Sequence, residues 1–212
     1  MNVTVFGGTG KIGVFVVRHL LDAGHEVTAL VRSPQKMTVE DPRLTVVVAE
    51  LSDDTAVKRV VTGADAVIST LGPPIDPMLR GTPLTEAMGT IVAAMADDDV
   101  RRLVALSTVS VPDPRDRPGL FDRIIPLGIR LLIPQALREI QGITEAVTTS
   151  GRDWTLVRIL TPIDNPSNGT LRAGFLGVDD VGWAMTRTDI ARFMVDQLTD
   201  DRFLYTSPAI SN

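Results

Sequence analysis

The 212-residue chain has no cysteine. That absence excludes disulfides, thiolate metal sites and a cysteine nucleophile. Aromatic residues make up only 4% of the chain, and histidine occurs twice. Neither histidine sits in a His/Asp/Glu cluster with metal-ligand spacing. His19 falls near the buried face of the first predicted helix and reads as a packing residue. His25 follows Ala23-Gly24, a helix stop, and reads as a turn residue. No apolar run reaches membrane-spanning length. The net charge is −5 and no basic stripe is evident, so nucleic acid is not an expected partner. The N-terminus leads straight into a strand without a basic region and an apolar h-region, so no secretory signal is expected and the cytoplasm is the default location. The length suits one well-cored α/β domain, residues 1–212, and is short for two.

What is present begins at once. Asn2–Phe6 (NVTVF) is β-branched and apolar and reads as a strand. It runs into Gly7-Gly8-Thr9-Gly10-Lys11-Ile12-Gly13, and an amphipathic stretch follows with Ile12, Phe15, Val16, Leu20 and Ala23 on one face. Strand, glycine turn, helix is the context that gives such a loop meaning. Gly7 permits a tight turn, Gly10 lets backbone amides approach a pyrophosphate, and Gly13 lets the helix pack close to the strand. Thr9, Lys11 and Ile12 complete a loop whose amides, at a helix N-terminus, suit a diphosphate. The spacing is G-x-x-G-x-x-G and not the common G-x-G-x-x-G.

A second strand, Glu26–Val31 (EVTALV), ends at Arg32-Ser33-Pro34. An NAD-binding fold usually carries an acidic residue there to accept from the adenosine ribose. A guanidinium cannot accept a hydrogen bond but pairs well with a 2′-phosphate. Arg32, with Ser33 beside it and Lys36 nearby, predicts NADP(H) in preference to NAD(H). The alternative is a solvated arginine at a strand end.

Further strands are expected at Leu44–Val48, Ala64–Thr70, Arg102–Ser107 and Trp154–Ile159. Helices are expected at Asp53–Val61, Thr85–Ala96, Pro134–Ser150 and from a Thr188 or Asp189 cap through Leu198. Continuous apolar strands alternating with helices indicate a parallel sheet covered on both faces. The fold class is therefore α/β, a doubly wound parallel sheet of Rossmann type in a single domain.

Ligands in this architecture lie beyond the C-terminal strand ends. Asp53 could accept from the adenine amino group or simply cap its helix, and Leu51 could pack on the ring. Leu71 and Gly72 follow the fourth strand, where Gly72 would leave room for the cofactor. Ser107 and Thr108, at the end of the fifth strand, lie where the nicotinamide should arrive and are the candidate catalytic pair, or else polar strand termination. Thr161 follows the sixth strand. Residues 111–135 form an apolar insertion punctuated by prolines and containing Phe121, Ile124, Ile125, Leu127, Ile129, Leu131, Leu132 and Ile133. It reads as a flap over the nicotinamide. A buried short helix, a self-association patch that would make a homo-oligomer, and a lipid-facing segment are the alternatives.

Together VTVFGGTGKIG, ALVRSPQK, AELSD, DAVISTLG, LVALST, SGRDWTLVRI and TDIARFMVDQL resemble the atypical short-chain dehydrogenase/reductase superfamily. The nearest likeness is its NAD(P)H-binding group, containing flavin reductases of the biliverdin-IXβ reductase type and NmrA-like proteins. The resemblance implies NADP(H) as cofactor and a small-molecule hydride acceptor. The wider superfamily uses a Tyr with a Lys four residues later on the helix after the fifth strand. Here that helix offers Gln141 and Glu145 at the spacing, and the one tyrosine is Tyr205. A reductase without the Tyr/Lys pair, acting on a flavin-, quinone- or similar planar acceptor, is the leading expectation, because the cofactor carries the hard chemistry. Glu139 or Glu145 as proton donor, or as solvated helix surface, is a further reading. A non-catalytic NADP(H)-binding regulator is the rival.

Overall fold

A computed structural model describes residues 1–73, 81–117, 119 and 134–212. Most of the apolar insertion expected at 111–135 therefore lies outside the described residues, and so does the flap assigned to it. Parallel strands β1 (Asn2–Phe6), β2 (Glu26–Val31), β3 (Leu44–Val48), β4 (Ala66–Ser69), β5 (Arg102–Thr108) and β6 (Asp153–Ile159) stand in the order β3-β2-β1-β4-β5-β6. That order is the doubly wound one, and its direction reverses between β1 and β4. Beyond β6 the sheet gains β10 (Ala209–Ser211), parallel to β6, and β8 (Arg172–Gly174), antiparallel to β10. A separate pair joins β7 (Thr161–Ile163) to β9 (Ala184–Thr186). The sheet is thus mostly, not wholly, parallel.

The strand residues divide cleanly between two cores, as a period of two requires. Val3, Val5, Ala66, Ile68, Val104, Val157 and Ile159 face α1 (Gly13–Asp22) and α5 (Arg187–Asp196). Phe6, Leu30, Val67, Leu103, Ala105 and Leu156 face α2 (Asp54–Val61), α3 (Pro83–Asp97) and α4 (Pro134–Thr148). On α1 the buried stripe is Gly13, Val16, Val17, Leu20 and Leu21. Ala23, expected inside, is the exposed C-cap. The helix closes with His25 N–H on Leu20 O and Gly24 N–H on Leu21 O, the paired bonds of a Schellman turn. β3 also departs from expectation. It forms the sheet's outer edge, so Val46 and Val48 are exposed although LTVVV reads as a buried strand.

α5 is capped by Thr186, not by Thr188 or Asp189. Asp189 is instead the buried first-turn carboxylate, accepting from Thr186 Oγ1 at 2.6 Å and Ser167 Oγ at 2.7 Å. Thr186 Oγ1 in turn accepts from Asp189 N–H at 3.3 Å, and Thr186 N–H donates to Asn212 Oδ1 at 3.2 Å, so the donors at this helix start are satisfied by neighbouring side chains. Thr188 serves α1 instead: its carbonyl and hydroxyl both lie 3.1 Å from His19 Nε2, so His19 ties the two helices of that face together.

Candidate functional site

The glycine loop is built around the carbonyl of Gly7. Gly7 has φ +83°, a conformation costly for any residue with a Cβ. Gly10 N–H donates to Gly7 O at 2.9 Å, and Thr70 Oγ1, from the end of β4, donates to the same oxygen at 3.1 Å. A Cβ on Gly13 would stand 2.1 Å from that oxygen. The first turn of α1 can pack on the strand end only because position 13 is glycine.

α1 differs from its neighbours in how it starts. Asp53 caps α2, with Oδ1 accepting from Ala56 N–H at 3.0 Å. Glu139, reaching across from α4, caps α3 by accepting from Leu84 N–H at 3.0 Å and Thr85 N–H at 2.9 Å. Thr186 caps α5. α1 has no side-chain cap and no acidic residue in its first turn. Val14 N–H donates to Gly10 O at 3.1 Å and Phe15 N–H to Ile12 O at 3.0 Å, and no side chain closes the positive end of the dipole, a helix start of the kind that binds phosphate groups.

In front of this start lies a groove of about 700 Å³. It opens where the strand order reverses, the usual place for a ligand in such a sheet. Gly7, Thr9, Gly10, Arg32, Leu51, Leu71 and Gly72 all line it. Among the described residues a Cβ on Gly72 would meet nothing within 4 Å, so that wall is set back. The apolar part is Leu30, Val31, Leu51 and Ala87, and the rim carries Glu50, Asp54 and Glu86. Thr90 Oγ1 donates to Asp54 Oδ1 at 3.2 Å and links α3 to α2 across the groove. Arg32 is exposed and has neither ion pair nor side-chain hydrogen bond among the described residues. Lys36 is exposed at the end of the 3-10 turn Pro34–Lys36.

The remaining sequence-predicted site residues sit elsewhere. Lys11, Ile12 and Gly13 form the start of α1 and do not line the groove. Ser33 is half-buried and begins the 3-10 turn. Asp53 faces its own helix as the N-cap. Ser107 is buried, with Oγ 3.2 Å from Thr144 Oγ1 on α4. Thr108 Oγ1 accepts from Ser110 N–H at 3.3 Å, and Thr161 is exposed in β7. Tyr205 lies at the other end of the sheet, where its hydroxyl donates to Asp153, the first residue of β6. That bond, with burial and the Asp153 charge, holds the phenol above its ordinary range. Gln141 and Glu145 are exposed. Glu139 is neither exposed nor free: it is wholly buried, and both carboxylate oxygens are taken up by α3.

Sequence reasoning passed over the strongest polar cluster of the described residues. Arg158, on β6, is 1% exposed. Its Nη1 and Nη2 donate to the two oxygens of Asp116 at 2.6 and 2.8 Å, and its Nε donates to Ser207 O at 2.6 Å. Asp116 also accepts from Leu176 N–H and Asp113 N–H, and Asp113 accepts from Ser207 N–H, each at 2.9 Å. Burial pushes the Asp116 carboxyl up, but the Arg158 hydrogen bonds and charge and two backbone amides outweigh it and hold the group below the usual carboxylate range. The signal was an arginine inside an otherwise apolar strand, WTLVRI. Arg158 is the cross-strand partner of Ser107, so the cluster braces the sheet beside the predicted catalytic pair.

Fold and groove together define a dinucleotide-binding α/β protein of Rossmann type. The family model described as NAD(P)H-binding matches residues 7–201, and the chain belongs to that family. A curated relative, the (4-alkanoyl-5-oxo-2,5-dihydrofuran-3-yl)methyl phosphate reductase of Streptomyces griseus, is 31% identical over 163 residues. The match covers 77% of this chain and 49% of the relative, so the chain spans about half that protein's length. Two solved structures share the fold at 17% identity. A short-chain dehydrogenase/reductase of Veillonella parvula in complex with NADP gives a TM-score of 0.78, covering 100% of this chain and 94% of that one. ChuY, an anaerobillin reductase from Escherichia coli O157:H7, gives 0.79, covering 100% and 97%. Among the described residues no helix is long and apolar enough to cross a membrane.

Proposed function

We infer that the chain is an NADPH-dependent reductase that delivers hydride to a small planar acceptor of flavin or quinone type. The observation that carries this reading is the glycine loop at the groove, Gly7, Thr9 and Gly10, leading into a helix with no side-chain cap, with Arg32, unpaired among the described residues, on the same groove. The amides at the α1 start would hold the diphosphate, and Arg32 would pair with the 2′-phosphate. Leu30, Leu51 and Ala87 offer an apolar bed for the adenine, and the recess at Gly72 gives the cofactor passage toward β5. NADPH, when bound, supplies a hydride, and transfer of that hydride with uptake of one proton from water completes the two-electron reduction of the acceptor. Ser107 and Thr108, at the C-terminal end of β5, would orient the reacting rings. No side chain is assigned as proton donor, since Tyr205 is remote and Glu139 is committed to α3. The reductase names of the Streptomyces relative and of ChuY support the same class. The test is direct: mix pure protein and NADPH with FMN, a quinone or dichlorophenolindophenol and follow the nicotinamide absorbance. Turnover supports the reductase.

The commitment of Glu139 to α3 and the remoteness of Tyr205, which leave no assigned proton donor among the described residues, favour a second reading, a non-catalytic NADP(H)-binding regulator. Tight NADP(H) binding with no turnover across all acceptors selects it.

A further inference from the structure

The far side of the ligand edge carries two exposed apolar side chains that neither core explains. β6 ends at Ile159 and the chain passes directly into β7, where Thr161 pairs with Ala184 of β9. Trp183 immediately precedes Ala184. Gly182 N–H, on its other side, donates to Ser211 Oγ at 2.7 Å. Ser211 pairs with Arg172, the first residue of β8, and Leu171 immediately precedes Arg172. β8 runs antiparallel to β10, so its start lies at the same edge as the ends of β6 and β10. These constraints bring Trp183 and Leu171 to the C-terminal edge of the sheet near Thr161. Trp183 is 56% exposed and Leu171 40% exposed.

The order of strands says what should meet them. Arg32 marks the adenosine end at β2, the α1 start marks the diphosphate at β1, and the groove continues past the end of β4 at Leu71 and Gly72. A nicotinamide over β4 and β5 has β6 as its next neighbour, roughly 4.8 Å further along the sheet. Whatever takes the hydride must lie there, above the turn from β6 into β7. Among the described residues the cations nearby are already matched, Arg172 with Asp180 and Arg187 with Asp164. The edge therefore offers ring surface, not charge.

We propose that Trp183 is an acceptor-specificity residue whose indole stacks on the flat ring of the acceptor, with Leu171 as apolar flank. Recognition is of the ring and not of a phosphate tail, so lumiflavin and FMN bind alike. The proposal rests on the reductase reading, but its test does not need turnover. The chain has two tryptophans, and Trp154 is at the opposite end of the sheet in edge-on contact with Tyr205, ring centres 6.2 Å apart. Titration of oxidised FMN or lumiflavin into protein saturated with NADP⁺ should quench tryptophan fluorescence in wild type and in Trp154→Phe, and should leave Trp183→Ala unquenched. In steady state, Trp183→Ala should raise the acceptor KM about tenfold, the order of one lost aromatic stack, with the NADPH Kd unchanged. Trp183→Phe, which keeps a flat ring, should restore most of the loss. Persistent quenching in Trp183→Ala, or an unchanged acceptor KM, overturns the proposal, and so does a change of sedimentation in Trp183→Ala with the acceptor KM unmoved. Wild type that quenches with flavin yet never oxidises NADPH overturns the reductase reading alone.

Discussion

The two halves of the sheet's ligand edge treat their polar groups in opposite ways. On the β1–β2 side the protein brings no side chain to them: the α1 start has no side-chain cap, and Arg32 has no partner among the described residues. On the β5–β6 side the protein spends them on itself. Ser107 is taken up by Thr144, Arg158 by Asp116 and Ser207, and Asp113 by Ser207. Buried polar groups are normally hydrogen-bonded, so the second pattern is what scaffolding requires. Groups held in place by the fold but left unmatched are what an anionic ligand requires. The contrast separates a surface preformed for a dinucleotide from a braced wall beside it.

The largest effect should come from breaking the brace. Asp116→Ala leaves Arg158 buried and unpaired, which costs about 3–5 kcal/mol, read as a lower urea midpoint. Cofactor affinity of the protein that remains folded should not move, because the pair lies outside the groove. The same pair gives a pH dependence of definite sign. The Asp116 carboxyl is held below its unfolded range. Its contribution is therefore complete above that range and disappears as the pH falls through the folded value. Acid unfolding should begin at higher pH in Asp116→Asn than in wild type, and equal acid midpoints would break the comparison from the scaffold side.

Gly13→Ala should come next and strike both properties together. The added Cβ would meet Gly7 O at 2.1 Å, backbone that cannot swing aside. A cost of about 3 kcal/mol, the upper end for overpacking, should accompany loss of NADPH binding by calorimetry. Arg32→Ala should then show the opposite behaviour to Asp116→Ala. Loss of a charge-assisted hydrogen bond is worth about 1.5–3 kcal/mol, so NADPH should weaken roughly tenfold or more while the thermal midpoint stays put. NADH affinity should be nearly unchanged, and equal losses for both cofactors would remove Arg32 from the phosphate-binding role.

How much of this was readable beforehand follows the range of the interactions. Gly7 to Gly13 and Arg32 are local: strand, turn and helix adjoin in sequence, and their spacing alone carries the geometry. Among the described residues, the six long strands and five α-helices follow from apolar periodicity for the same reason. β7, β8, β9 and β10 are three residues each, too short for any period to register, and each exists through a partner distant in sequence. Glu139 looked like helix surface because its partners, Leu84 and Thr85, are more than fifty residues away. The Thr186 cap was misplaced because Thr188 and Asp189 offer equally good cap chemistry within three positions, and only packing against His19 separates them.

Asp53 gives the finest test of the contrast, since it stands between the two behaviours. It caps α2 through Ala56 N–H, yet it follows directly on Leu51 and Ser52 at the groove wall. As a cap alone, Asp53→Ala should cost about 1 kcal/mol of stability and Asp53→Asn almost nothing, because asparagine caps as well as aspartate. Neither change would then alter NADPH affinity. As an acceptor for the adenine amino group as well, Asp53→Ala should also weaken NADPH while leaving nicotinamide hypoxanthine dinucleotide phosphate, which lacks that donor, unaffected. The side chain already has one donor and points along its own helix, so the expected result is the first: a small fall in thermal midpoint for Asp53→Ala, with both nucleotides bound as by wild type.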